Sequence, residues 1–190
     1  MYTYEQFTSN TPQHRAAAEQ ISEWSQSAQS MIPLTPDAMA AHPLGYLAFA
    51  EGELAGYAAV SVQYSDTLYE FGGLVVGKDY RGHGIGKSAT QWVLQQIPTQ
   101  LPQAEQIIAF ANDKSGPLFE KYVGSRALTQ LERCTLAKEV WKLCLSCPSR
   151  AADFNPDQPE CCDTVVDLSD YVRAIKHATI RGADAILEDI

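Results

Sequence analysis

Three glycines at alternate positions, Gly82, Gly84 and Gly86, are bracketed by Arg81 and Lys87 and hold His83 between them. Glycines so placed give up ordering entropy, which makes sense where a backbone must come close to a ligand. Ahead of them the run Leu74-Val75-Val76 has the apolar, β-branched character of a buried strand. Behind them Ile85, Ala89, Trp92 and Val93 mark one face of a helix. A strand, a glycine loop and a helix in that order gather free backbone N–H groups and the positive end of a helix dipole at one point. That is a site for phosphate. The same residues without a ligand would be a glycine turn between a core strand and a core helix. A second group able to do chemistry, Glu70, stands on the entering strand, fourteen residues before Gly84.

Spacing separates the phosphate loops that compete for this stretch. A P-loop would need a glycine at position 81, which is arginine, before Gly86-Lys87-Ser88. A dinucleotide fingerprint fits Gly82 and Gly84 but would put its third glycine at Lys87. The pattern R/Q-x-x-G-x-G/A is met in full by Arg81-Gly82-His83-Gly84-Ile85-Gly86. With Leu74-Val75-Val76 and Asp79-Tyr80 before it, the stretch resembles the acyl-CoA loop of the GNAT superfamily of N-acetyltransferases. A second segment, Asn112 followed by Leu118-Phe-Glu-Lys-Tyr-Val-Gly-Ser125, is similar to a later GNAT motif in the expected order. The resemblance covers roughly residues 45 to 128. It implies an α/β (α+β) GNAT fold, a mixed, mostly antiparallel central sheet flanked by helices. We expect one domain over residues 1–190, with a core of about 1–128 and an extension over 129–190.

The resemblance also implies roles. Acetyl-CoA would be the cosubstrate and an unidentified amine, on a small molecule or a protein, the acceptor. The coenzyme pyrophosphate would lie on backbone N–H groups of the loop Arg81, Gly82, His83, Gly84, Ile85, Gly86 and Lys87. Main-chain groups of Leu74, Val75 and Val76 would pair with the pantetheine arm, with Gly72-Gly73 as a bulge that lets the neighbouring strand splay away. Asn112 would contact the coenzyme arm or a water beside it. Acyl transfer needs a neutral amine and a stabilised oxyanion; Glu70 is the candidate base, and a backbone N–H near Val75 or Val76 the oxyanion donor. Glu70 reads equally as a solvated strand carboxylate. Where the family often has an acidic tyrosine, this chain has Phe119, which has no proton to give. Tyr122, three residues on, points about 60° away. Phe119 motivates the alternative of a non-catalytic acyl-CoA-binding or sensor module.

The elements that must position these groups read as follows. Tyr2–Phe7 suits a first strand. Ala17, Ile21, Trp24 and Ala28 share a helical face over His14–Ser30, and Thr35 or Asp37 would cap a short second helix before Pro43. Gly45–Ala50 and Leu54–Gln63 read as a hairpin around Glu51-Gly52-Glu53, which Tyr69–Val76 extends to a meander. A helix over Lys87–Ile97 ends at Pro98, Gln106–Ala111 is a short buried strand, and Ser115 is placed to cap a helix ending at Gly124. Leu131–Leu145 looks helical, Asp163–Leu168 suits a last strand, and Ser169 or Asp170 would start a terminal helix. His14 and His42, alone beside turns, read as surface or structural residues.

Composition narrows the classes. The 190 residues are 45% hydrophobic, ample for one core, and carry a net charge of −9, which argues against a nucleic-acid surface. No stretch approaches the ~20 apolar residues of a membrane span, and no secretory signal is visible at Met1–Phe7. Five cysteines, an odd count, point to a reducing cytoplasm. Four of them, Cys144, Cys147, Cys161 and Cys162, suggest a structural zinc site by their C-x₂-C spacing, though the adjacent pair also fits ordinary thiols. Oligomeric state, monomer or homodimer, is open.

Overall fold

The computed structural model describes residues 2–27, 33–142 and 164–187, with side chains described as far as residue 178. The strands are β1 (Tyr2–Gln6), β2 (Leu44–Ala50), β3 (Glu53–Gln63), β4 (Leu68–Val76), β5 (Gln106–Ala111), β6 (Arg126–Ala127) and β7 (Thr164–Asp167). The helices are α1 (Pro12–Gln26), α2 (Pro36–Ala41), α3 (Ile85–Gln100), α4 (Gly116–Val123), α5 (Gln130–Thr135), α6 (Lys138–Lys142) and α7 (Ser169–Leu187). One sheet contains all seven described strands, in the order β1-β2-β3-β4-β5-β7-β6. Its pairs are antiparallel except β4–β5. The expected mixed, mostly antiparallel sheet flanked by helices is present.

Alternation along β4 sorts the two faces. Tyr69 and Phe71 pack with Ala89, Val93, Leu94 and Ile97 of α3 and with Phe119 and Val123 of α4. Val75, with Tyr57 and Ala59 of β3, packs instead against Ala17, Ala18 and Ile21 of α1 and Met39 of α2. Leu68 joins Ile108, Val165, Val140 and Trp141 in a third cluster, which brings α6 onto the sheet. Glu70, between Tyr69 and Phe71, therefore points to the side of α1 and α2.

Local chemistry explains most boundaries. Thr11 and Thr35 cap α1 and α2 by accepting from His14 and Ala38 N–H, each at 3.1 Å. Asp37 lies in the first turn of α2 rather than at its cap. The hairpin turn puts Glu51 and Gly52 at φ 54° and 88°, the pair of left-handed residues that matches strand twist. Gly124, at φ 62°, ends α4 as expected.

Three expectations change, and one short strand is added. The helix expected to stop at Pro98 runs on to Gln100. Pro98 removes only its own N–H in the last turn, and Leu101 N–H still reaches the Ile97 carbonyl at 2.8 Å. The single helix expected over Leu131–Leu145 is two in its described part, α5 and α6, because Leu136 is extended at ψ 149°. The break turns Val140 and Trp141 inward. Ser115 makes no cap bond to α4; Asn112 Oδ1 instead accepts from Lys114 and Ser115 N–H, both at 3.0 Å. The two-residue strand β6 was not anticipated, and the last strand lies inside the sheet, between β5 and β6.

Candidate active site

Two opposed bulges shape β3 and β4. Ala59 pairs with Gly72 and Tyr57 with Val75, so β4 carries one extra residue around Gly73. Gly73 has φ 62°, the left-handed conformation that the bulge requires and glycine adopts freely. On β3 the extra residue is Ser61, between the pairs Val60–Phe71 and Val62–Glu70. The bulge expected at Gly72-Gly73 is therefore present, and a second one faces Glu70.

The parallel ladder between β4 and β5 has three rungs, Leu68–Gln106, Tyr69–Ile107 and Glu70–Ile108. Beyond Glu70 the strands separate: β5 continues against β7, while among the described residues Phe71 to Val76 have no strand partner on that side. The edge so opened includes Leu74, Val75 and Val76. An extended amide chain can pair there as an added strand does.

Glu70 stands at the point of separation. Some of its side chain is accessible, but its carboxyl is enclosed by protein atoms on most sides. Enclosure is what sets its chemistry. Burial raises its pKa to about 7, against the pull of hydrogen bonds from Tyr64 and Ser61. Tyr64 donates to Oε2 and Ser61 Oγ approaches Oε1 at 3.5 Å. Gly72 makes the room, since a Cβ there would stand 2.5 Å from Ser61 Oγ and 3.2 Å from Glu70 Oε1. A carboxyl poised near neutrality and held by two hydroxyls suits a general base.

The glycine loop follows a 3-10 turn at Lys78–Tyr80. Gly82 and Gly84 both have φ 82°, and a Cβ on either would meet nothing within 4 Å. Gly84 is the N-cap of α3, so the N–H groups of Ile85, Gly86 and Lys87 precede the first intrahelical bond, from Ser88 N–H to the Gly84 carbonyl at 3.0 Å. The loop is tied from three directions. Arg81 Nε donates to the Val76 carbonyl at 3.1 Å, Tyr2 donates to the His83 carbonyl, and Tyr4 donates to Ser88 Oγ. Lys87 Nζ lies 4.5 Å from the ring centre of Tyr122, so Tyr122 faces the start of α3. A preformed backbone cradle of this kind fits a pyrophosphate.

Phe119 is buried and meets Phe71 edge to face, with centroids 5.7 Å apart. Such a pair contributes about 0.5–1.5 kcal/mol beyond its buried area. The position holds a core residue. Asn112 lies at the end of β5, its Oδ1 committed to the turn above. Cys144, Cys147, Cys161 and Cys162 lie outside the described residues, and among the described ones no group of three or more His, Cys, Asp or Glu could hold a metal ion. No described helix is long and apolar enough to cross a membrane.

The model of the acetyltransferase (GNAT) family matches residues 5–125. The chain belongs to the GNAT acetyltransferase family. Solved structures of this fold agree. Tetrahymena GCN5 is 12% identical, with a TM-score of 0.60, covering 87% of this chain and 94% of its own. N-acetylglutamate synthase from Neisseria gonorrhoeae, complexed with coenzyme A and N-acetyl-glutamate, is 15% identical at a TM-score of 0.58. That match covers 88% of this GNAT chain but 34% of the synthase, so the chain spans about a third of the synthase's length. Rv2747 from Mycobacterium tuberculosis, in complex with CoA and NLQ, is 14% identical at a TM-score of 0.59 over 87% and 98% of the two chains. No curated protein matches the sequence. At these identities the structures speak for the fold.

Sequence reasoning missed Ser61 and Tyr64, which hold the Glu70 carboxylate, and Tyr2 and Tyr4, which pin the glycine loop and the start of α3. It read His42 as a lone turn residue, whereas His42 is bonded to Tyr57 beside the β4 bulge. The bulge at Ser61 has no glycine to announce it, so strand alternation alone misplaces that residue.

Proposed function

We propose that this chain transfers the acetyl group of acetyl-CoA to an amine by direct attack, with Glu70 as the base. The observation that carries the reading is that the last rung between β4 and β5 is Glu70–Ile108. The edge open to the coenzyme arm therefore begins at the carboxylate. The pyrophosphate lies on the N–H groups of residues 82–87, and the pantetheine arm pairs with Leu74, Val75 and Val76. Glu70 takes the amine proton, directly or through a water, as nitrogen attacks the thioester carbon. An N–H near Val75 or Val76 meets the oxyanion. The C–S bond then breaks and the thiolate leaves, so Phe119 need supply no proton. Asn112 acts through the turn that starts α4, beside the coenzyme arm.

Steady-state thiol release over a panel of amines, with calorimetry for acetyl-CoA, tests this. Amine-dependent release is expected; coenzyme binding without release would make the chain a binding module. The odd cysteine count supports a reducing, cytoplasmic setting. Cys144, Cys147 and one or both of Cys161 and Cys162 are proposed as a structural zinc site on the same count and spacing.

A further inference from the structure

His42 and Tyr57 form a hydrogen-bonded pair on the face of β4 that Glu70 shares, and the scheme above leaves them unused. Tyr57 is fully buried, and its hydroxyl lies 2.8 Å from His42 Nδ1. Gly45 gives that hydroxyl its room, since a Cβ there would stand 2.2 Å from the oxygen. A buried phenol O–H left without an acceptor is destabilising, because it has lost its water partner and gained none. Among the described residues Nδ1 is its one hydrogen-bond partner, so Tyr57 donates and Nδ1 accepts. A neutral imidazole that accepts at Nδ1 carries its proton at Nε2. Burial keeps the ring neutral by lowering its pKa to about 4. His42 is thus a fixed, uncharged donor. It is no second base, because its lone pair is occupied.

The ring is placed at the bulge. A Cβ on Gly73 would lie 3.6 Å from His42 Cε1, 3.6 Å from Leu34 Cδ1 and 3.5 Å from Tyr57 Cε1. Cε1 is bonded to Nε2, and Nε2 has no partner among the described residues. Gly72, the next residue, is the one that stands against Glu70. One strand residue spans about 3.3 Å, so a molecule presenting its amine to Glu70 has the atoms next to that amine beside His42.

We propose that His42 Nε2–H seats the acceptor by donating to a carbonyl or carboxylate oxygen that the acceptor carries next to its amine. The inference rests on the acetyltransferase reading above and names the acceptor class for that site. An uncharged donor rewards such an oxygen and does not repel an arriving ammonium group, whereas a cationic one would. A plain alkylamine gives it nothing to bond.

Phenylalaninamide, phenylalanine and phenethylamine are probes that differ in that oxygen and in amine basicity, so their rates are compared per neutral amine. Thiol release should favour phenylalaninamide or phenylalanine over phenethylamine by about tenfold or more in kcat/KM, the worth of one hydrogen bond. His42→Ala should raise KM for the favoured probe by about that factor, with kcat nearly unchanged and phenethylamine unaffected. His42→Gln, which can both accept from Tyr57 and donate, should restore most of the loss. Nitrogen NMR of the folded protein should find the His42 proton on Nε2. Equal use of the three probes, use of none, equal losses on all in His42→Ala, or a proton on Nδ1 would overturn the proposal. Acetyl-CoA affinity by calorimetry separates the two readings. If it is intact while discrimination fails, only this inference falls; if the unaltered protein binds no acetyl-CoA, both do.

Discussion

At the scale of a residue, Glu70 shows how an ordinary carboxylate acquires a task. Its pKa rises from 4.5 to about 7 because burial outweighs two hydroxyl donors. Activity should therefore climb with pH to a plateau above about 7, as the base loses its proton. Glu70→Gln should flatten that limb and lower turnover by about 10²–10⁴-fold, with acetyl-CoA affinity nearly unchanged. Full turnover in the variant across the pH range would move the base elsewhere. The same shift bears on stability. The folded state holds the proton more tightly than the unfolded one, so this contribution is complete below pH 4.5 and is lost as pH rises through about 7. Urea titrations should show the wild type losing stability relative to Glu70→Gln over that window. Phe119→Tyr should leave the rate within a few-fold, since the ring at 119 is packed on Phe71.

At the scale of an element, glycines decide what the strand and the loop can hold. Gly72→Ala would drive its methyl into Ser61 Oγ and crowd Glu70. Turnover should fall about tenfold, as for one lost hydrogen bond to a charged group, while calorimetry still finds the coenzyme bound. In the loop, Gly84→Val mixes backbone strain at φ 82° with blocked approach, whereas Gly86 is helical and its Cβ would meet only ordinary contacts, Leu118 at 3.5 Å and Val76 at 3.7 Å. Gly86→Val is the cleaner test and should weaken acetyl-CoA strongly with the fold intact. Unchanged affinity in both variants would remove the loop assignment. For the cysteine segment, elemental analysis of protein purified without chelator should give about one zinc per chain; a metal-free sample with unchanged melting would dispose of that site.

At the scale of the molecule, the described elements β7 and α6 pack on the same sheet as the strands before residue 128. β7 sits between β5 and β6, and Trp141 is buried edge to face on Phe110 of β5, centroids 6.0 Å apart. Trp141→Ala should cost about 3–5 kcal/mol in urea unfolding, and a loss under about 1 kcal/mol would make that segment an appendage after all. The sequence by itself determined the GNAT family, the glycine loop, the β2–β4 meander and the place of Glu70. Each rests on contiguous residues whose pattern is local: an R-x-x-G-x-G spacing, a two-residue turn, an alternation of period two. Only the tertiary structure decided that β4 and β5 part after Glu70, that Ser61 and Tyr64 hold its carboxyl, and that His42 meets Tyr57 across fifteen residues. The seat of Glu70 depends on the bulges between β3 and β4, of which Gly72-Gly73 announced one and nothing announced the other at Ser61. The rest depends on contacts between segments apart in sequence. A one-residue shift changes which side chains meet and leaves no trace in composition or periodicity.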